Sequence, residues 1–167
     1  MKSFSLKRLA LVVFCCTITI VIILKAPQFL DTKEILQFNR NLENYNVKLQ
    51  IIDANDKKIA EFSVALADDD YKKMYGLMNL NHLPKQYGML FTFSSEEILA
   101  MWMKNTRIPL DMLFIDKNDV IVNIKTNNTP YSLEIISSEK KTKKVLEING
   151  NLVGKLGIKI GQKIKII

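Results

Sequence analysis

"VKLQIIDANDKKIAEFSVALA", Val47–Ala67, is the stretch on which the fold turns. Val47, Leu49 and Ile51 alternate with Lys48 and Gln50, which places the apolar residues on one face of a strand and the polar ones on the other. "Ala54-Asn55-Asp56" supplies turn residues, and alternation resumes from Ile59 through "KIAEFSVALA". Two period-2 runs separated by a short polar turn predict a β-hairpin. The fold therefore starts from strands rather than helices.

Working forward, the period changes at "DDDYKKMYGLMN". Asp68 or Asp69 is placed to cap a helix start, where a carboxylate also meets the positive end of the helix dipole. Tyr71, Met74, Tyr75 and Met78 recur at three- and four-residue spacing, the pattern of a buried helical stripe that ends near Gly76. Beyond the loop at His82-Leu83-Pro84, four short apolar runs read as separate strands: "GMLFTF" (Gly88–Phe93), "ILAMWM" (Ile98–Met103), "DMLFID" (Asp111–Asp116) and "VIVNIK" (Val120–Lys125). "DKND" joins the last pair as a hairpin loop. "SEKKTKK" (Ser138–Lys144) reads as a solvated loop before the strand "KVLEI". "NGNLVGKLG" follows as one or two helical turns closed by Gly157, and "IKIGQKIKII" ends in a strand after a turn at Gly161. The expected architecture is mainly β: a compact β-sandwich or barrel-like domain over residues 46–167 with one or two short helices.

Working backward, residues 26–45 read as a linker, and Leu9–Leu24, "LALVVFCCTITIVIIL", is free of charge. As a helix it spans about 24 Å, marginally short for a bilayer core. Residues 1–25 are thus a membrane anchor or a signal segment. Leu24-Lys25-Ala26 followed by Pro27 is a poor cleavage site, which favours an uncleaved single-pass anchor over a secreted or periplasmic form. Lys2, Lys7 and Arg8 ahead of the segment place the N-terminus in the cytoplasm and the domain outside, on the periplasmic side. Both cysteines, Cys15 and Cys16, lie inside this segment, so the domain carries no disulfide, thiolate nucleophile or thiolate metal site.

The formal charge of +7 is concentrated around that first segment; Lys2, Lys7, Arg8 and Lys25 leave about +3 for the rest, much of it in the lysine tract. A nucleic-acid footprint spreads basic residues along a face with interleaved aromatics, so the pattern speaks against a nucleic-acid partner.

The motifs "YGLMN", "LPKQYGMLFTF", "MWMKNTRIPLDMLFID" and "VLEINGNLVGKLGIKIGQ" together resemble the bacterial and archaeal DUF192 (UPF0127) family, whose members often follow an export signal. The resemblance covers about residues 47–167 and implies a small, mainly β, sandwich-like domain. It implies no activity. Such proteins often carry Gly-Asp at the C-terminal turn, where this chain has Gly161-Gln162, which weakens any case for an acidic site there.

Candidate chemistry centres on "MWMKNTRIPLDMLFID", Met101–Asp116. If its two apolar runs are adjacent strands, Lys104–Leu110 connects them and gathers Trp102, Lys104, Asn105, Thr106 and Asp111 at the mouth of the domain. Lysine would bind an anion, asparagine and threonine would hydrogen-bond a carbonyl or hydroxyl, and Trp102 would form a stacking wall. The plainer alternative has Asn105 and Thr106 serving loop backbone groups and Asp111 paired with Lys104 or Arg107. Six methionines lie between Met74 and Met112, and Met101 and Met103 with His82 make a conceivable Cu(I) set, although methionine is also a common core filler. One loop histidine and no Gly-x-Ser-x-Gly give a hydrolytic triad little support. The leading expectation is an anchored, envelope-facing domain that binds a small ligand or partner, with no cofactor. The alternatives are a hydrolase-like enzyme at Lys104, Asn105 and Asp111, and a methionine-based Cu(I) binder.

Overall fold

The structure is a computed structural model, and it describes residues 45–167. The expected anchor and almost all of the linker lie outside the described residues. Among the described residues, no helix is long and apolar enough to cross a membrane.

The hairpin that opens the domain forms as its alternation dictates. Strand β1 (Val47–Ile52) pairs antiparallel with β2 (Lys58–Ala67), with Leu49 opposite Phe62 and Ile51 opposite Ala60. After β2 the chain crosses through helix α1 (Asp70–Tyr75) into β3 (Tyr87–Met101), which runs parallel to β2. Strands β4 (Leu110–Ile115), β5 (Ile121–Asn128) and β6 (Ile136–Asn149) follow, then helix α2 (Leu152–Leu156) and strand β7 (Lys163–Ile166).

All seven strands form one sheet in the order β5-β4-β6-β3-β2-β1-β7. The sheet curls until its two edges approach each other: Val120 bridges Lys163, and the Ile164 N–H donates to the Asp119 carbonyl at 2.9 Å. The result is a half-barrel rather than two facing sheets. Its seven strands and two short helices match the mainly β expectation.

Both faces of this sheet are buried. Inside the curl, Leu49, Phe62, Val64, Leu90, Leu113, Leu146 and Ile148 pack with Leu152 and Val153 of α2. On the other face, Phe91, Met112, Phe114 and Val145 pack under Leu77, Leu83, Leu99 and Met103. The two-residue alternation of each strand decides which side a residue serves.

Four sequence expectations change. "GMLFTF" and "ILAMWM" are one bent strand, β3. Its ladder with β6 is interrupted between Thr92 and Glu97 and again between Ile98 and Ala100, and at the second break the buried Ser138 hydroxyl accepts the Leu99 N–H at 2.9 Å. The lysine tract is strand rather than loop, because it continues β6, with Lys140 and Lys141 exposed. "ILAMWM" and "DMLFID" are not neighbours, since β6 lies between β3 and β4. The stripe on α1 faces outward: the helix buries no residue, and Tyr71, Met74 and Tyr75 are 70%, 62% and 43% exposed.

Candidate functional site

Two cavities open on the outer face of the sheet, divided by the segment Tyr75–Met78 that both share. The wall is fixed at its ends by local chemistry. Asp69 caps α1, accepting the Lys72 N–H at 2.7 Å. The Lys72 ammonium also bonds Asp68 and holds that carboxylate below the usual range; the Lys72 N–H does the same for Asp69. Gly76 then ends the helix at φ 51°, a left-handed conformation that favours glycine. Downstream, the Asn79 N–H donates to the Asn105 carbonyl at 2.9 Å, tying the wall to the turn that follows β3.

That turn is Met103–Thr106, closed by the Thr106 N–H donating to the Met103 carbonyl at 3.1 Å. Asn105 takes φ 54°, which asparagine tolerates better than other non-glycine residues. Met103 is sealed in the core, while Trp102 and Lys104 turn outward. The Lys104 ammonium sits 5.1 Å from the centre of the Trp102 ring, and Lys73 of α1 sits 5.3 Å from that of Phe93. These are cation–π contacts that hold two positive charges at one rim. Lys73 lies 3.7 Å from Asp70; Lys104 has no acidic partner among the described residues.

The cavity behind this rim has a volume of about 270 Å³. Phe91, Phe93, Met74, Met78 and Met101 form its apolar lining, Trp102, Lys104 and Thr106 its edge, and Glu147 of β6 its floor. Glu147 lies between Met89 of β3 and Met112 of β4, and by strand alternation points to the same face as Val145. It is only 4% exposed, and its carboxyl has no hydrogen-bond or ion-pair partner among the described residues. Burial alone pushes its pKa up to about 8. At neutral pH it is therefore mostly a protonated acid, able both to donate and to accept a hydrogen bond.

The structure thus brings Trp102, Lys104 and Thr106 to one cavity and separates Asn105 and Asp111 from it. The Asn105 side chain reaches the Met78 sulfur at 4.0 Å, bracing the wall rather than lining the pocket. Asp111 is fully buried on the opposite face of the sheet, with the alternation of Leu113 and Ile115. Its Oδ1 accepts the N–H groups of Asn127 at 2.7 Å and Asn151 at 3.0 Å, and its Oδ2 accepts that of Val153 at 2.8 Å. Asn151 provides no side-chain cap of its own, so Asp111 caps α2 from a distance in sequence. The expected grouping of Asp111 with Lys104 fails because β6 lies between β3 and β4, and because Asp111 faces α2 inside the curl while Lys104 lies on the outer face. Arg107 pairs with neither; it donates to Asn81 at 2.6 Å.

Sequence reasoning missed Glu147, a lone acid within the apolar run Val145–Ile148. Of the expected Cu(I) set, Met101 lines the cavity, Met103 is sealed and His82 is exposed. Among the described residues, no group of three or more His, Cys, Asp or Glu side chains is placed to hold a metal ion. The second cavity, about 480 Å³, is lined by Tyr45, Tyr71, Tyr75, Leu66, Asp68 and Met89 among others. Burial pushes the Tyr45 hydroxyl there up to about 12.

The chain is similar to two solved structures. One, from Sinorhizobium meliloti 1021 and provisionally assigned as a transcription regulator, is 36% identical with a TM-score of 0.69, over 72% of this chain and 92% of that one. The other, a protein of unknown function from Novosphingobium aromaticivorans DSM 12444, is 32% identical with a TM-score of 0.67, over 71% of this chain and 84% of that one. Among curated proteins, none matches. The DUF192 family model, described as "Uncharacterized ACR", matches residues 50–166, and the chain belongs to the DUF192 family.

Proposed function

We propose that this chain is a small-ligand-binding module whose site is the cavity floored by Glu147 and edged by Trp102, Lys104 and Thr106. One observation carries the reading: a largely buried residue, Glu147, presents a carboxyl with no protein partner to a preformed, mostly apolar cavity. Among the described residues no side-chain oxygen or nitrogen is sealed away without a partner, so the oxygens of this unpartnered carboxyl open on the cavity, where a ligand can meet them. Apolar walls with a few converging polar groups are the ordinary make-up of a ligand pocket. With Leu9–Leu24 as an uncleaved anchor, the cavity would face the envelope side of the membrane.

Trp102 is the only tryptophan of the chain, so its fluorescence reports on this site without a label. A screen of sugars, amino acids, organic acids and nucleotides against the full-length chain in lipid nanodiscs should give ligand-dependent changes that Ala100→Phe, which adds no second tryptophan, suppresses by crowding the cavity. Responses that persist in that variant would remove the assignment. The anchored orientation is tested separately, by protease accessibility in intact and opened cells.

A second reading has one observation in its favour. A carboxylic acid with a pKa near 8 is poised for general acid–base work near neutral pH. Catalysis here would run through Glu147, with Lys104 binding the substrate. It requires turnover that Glu147→Gln abolishes while binding survives.

A further inference from the structure

We propose that the cavity selects small organic acids: the ligand's carboxylate meets Lys104 at the rim, its apolar body lies along Phe91, Phe93 and Trp102, and the Glu147 carboxyl hydrogen-bonds an inner oxygen. This rests on the reading that the cavity is a small-ligand site.

The charges that face the cavity set the sign of the ligand. From α1 comes Lys73, and from the turn after β3 comes Lys104. From β6 comes Glu147, the one acid among the lining residues, while its cross-strand neighbours on β3 and β4 are Met89 and Met112. Tyr75 is the remaining titratable group of the lining. The rim is therefore positive. Lys104 holds an ammonium with three donors over Trp102 and spends none of them on an acid among the described residues.

An amine ligand would pass the Lys104 ammonium, which no acid among the described residues offsets, to reach the floor, at a repulsive cost. A wholly neutral ligand would leave Lys104 unused. An acid with a second oxygen satisfies both ends, and charge-assisted bonds to a lysine are the stronger kind. Size sets the length. At about 30 Å³ for each water-sized group, 270 Å³ has room for about nine non-hydrogen atoms.

The proton on Glu147 belongs to the recognition. A ligand carboxylate beside an ionised Glu147 would put two like charges in one small, poorly solvated space. The acid form removes that clash and supplies the donor. Burial keeps Glu147 protonated up to about pH 8, so binding is present through neutrality and fades above it.

The probe is levulinate, a five-carbon acid with a ketone at its far end, compared with pentanoate, 2-pentanone and pentylamine. Affinities are read by Trp102 fluorescence and calorimetry on the full-length chain in nanodiscs. Levulinate should bind tightest, pentanoate more weakly for want of the inner oxygen, and pentylamine least. Levulinate affinity should fall about tenfold between pH 7 and pH 9, following the protonated fraction of a group of pKa near 8. Glu147→Gln should flatten that profile, whatever its affinity at pH 7. Lys104→Met should lower levulinate affinity about tenfold and leave 2-pentanone unchanged. Pentylamine or 2-pentanone binding as well as levulinate, or a levulinate affinity independent of pH in the wild type, overturns the organic-acid assignment and leaves the ligand site standing. Silence from all four probes overturns the organic-acid assignment, and the ligand site falls with it only if the broader screen is silent too.

Discussion

Replacing Glu147 by glutamine tests the burial of this carboxyl through stability alone. In the unfolded chain the group titrates near 4.5, and in the folded chain near 8. Between those values the folded state holds a proton that the unfolded state has released, so folding stability falls as pH rises. The slope is about 1.4 kcal/mol per pH unit, and it vanishes above the folded value, where both states are ionised. The accumulated loss is under about 1 kcal/mol at pH 5, about 3 kcal/mol at pH 7 and about 5 kcal/mol at pH 9. Glutamine has nearly the same shape and does not titrate. The variant's stability should therefore exceed that of the wild type by a margin that widens by these amounts with pH. Other groups titrate equally in both proteins and cancel in the difference. Urea unfolding at pH 5, 7 and 9, followed by Trp102 emission, gives the margin directly. A margin that stays constant across this range would refute the argument, since it would mean that Glu147 is solvated or paired.

Three further substitutions probe the scaffold. Asp111→Asn keeps the shape but turns one of two accepting oxygens into a donor facing backbone N–H groups; it should cost about 2–4 kcal/mol in urea unfolding, and a loss below 1 kcal/mol would contradict the cap assigned to it. Gly88→Ala sets a Cβ 2.6 Å from the Glu147 carbonyl oxygen and 3.1 Å from Ile148 Cγ2, so the β3–β6 ladder must shift; a loss of about 1–3 kcal/mol is expected, and a neutral result would show that the ladder yields freely. Asp69→Ala removes the cap of a helix with no buried residue, so its cost of about 1 kcal/mol should stay local. Amide exchange over residues 70–76 should quicken about fivefold with the melting temperature unmoved. An unchanged exchange rate there would count against the cap.

The sheet was legible where one face is apolar and the other polar. Val47–Ile52 and Ile59–Ala67 announce the β1–β2 hairpin, Asp116–Asp119 the next one, and Gly157 the end of α2. Legibility failed where the sheet is buried on both sides. A polar residue in a strand is ordinarily assigned to solvent, and that rule hides Glu147, whose face is covered by the wall and the turn after β3. The warning was nearby: β4, "LDMLFI", is buried at every position, which only a strand covered on both faces can be. Long-range order was also hidden. Nothing in Lys140–Lys144 states that this segment continues a strand lying between β3 and β4, and on that order rested the grouping of Asp111 with Lys104. The stripe on α1 misled for the opposite reason. Its spacing is helical as read, but periodicity gives a face without saying what covers it.

Left-handed non-glycine residues are spread through the described residues, Asp56, Asp119 and Tyr131 among them, but the two buried acids divide between the faces of the sheet. Inside the curl of the sheet, aliphatic residues pack with Leu152 and Val153, and the one acid there, Asp111, has three N–H partners. On the outer face lie the unpartnered Glu147, the half-exposed Trp102, the outward aromatics of α1 and two residues with left-handed backbone, Asn79 and Asn105, joined by a hydrogen bond. Each carries a cost that a chain selected for stability alone would shed by a single substitution, glutamine at 147 among them. Glu147, Trp102 and Lys104 meet at one cavity, and that meeting is the expected mark of a site held against its own stability.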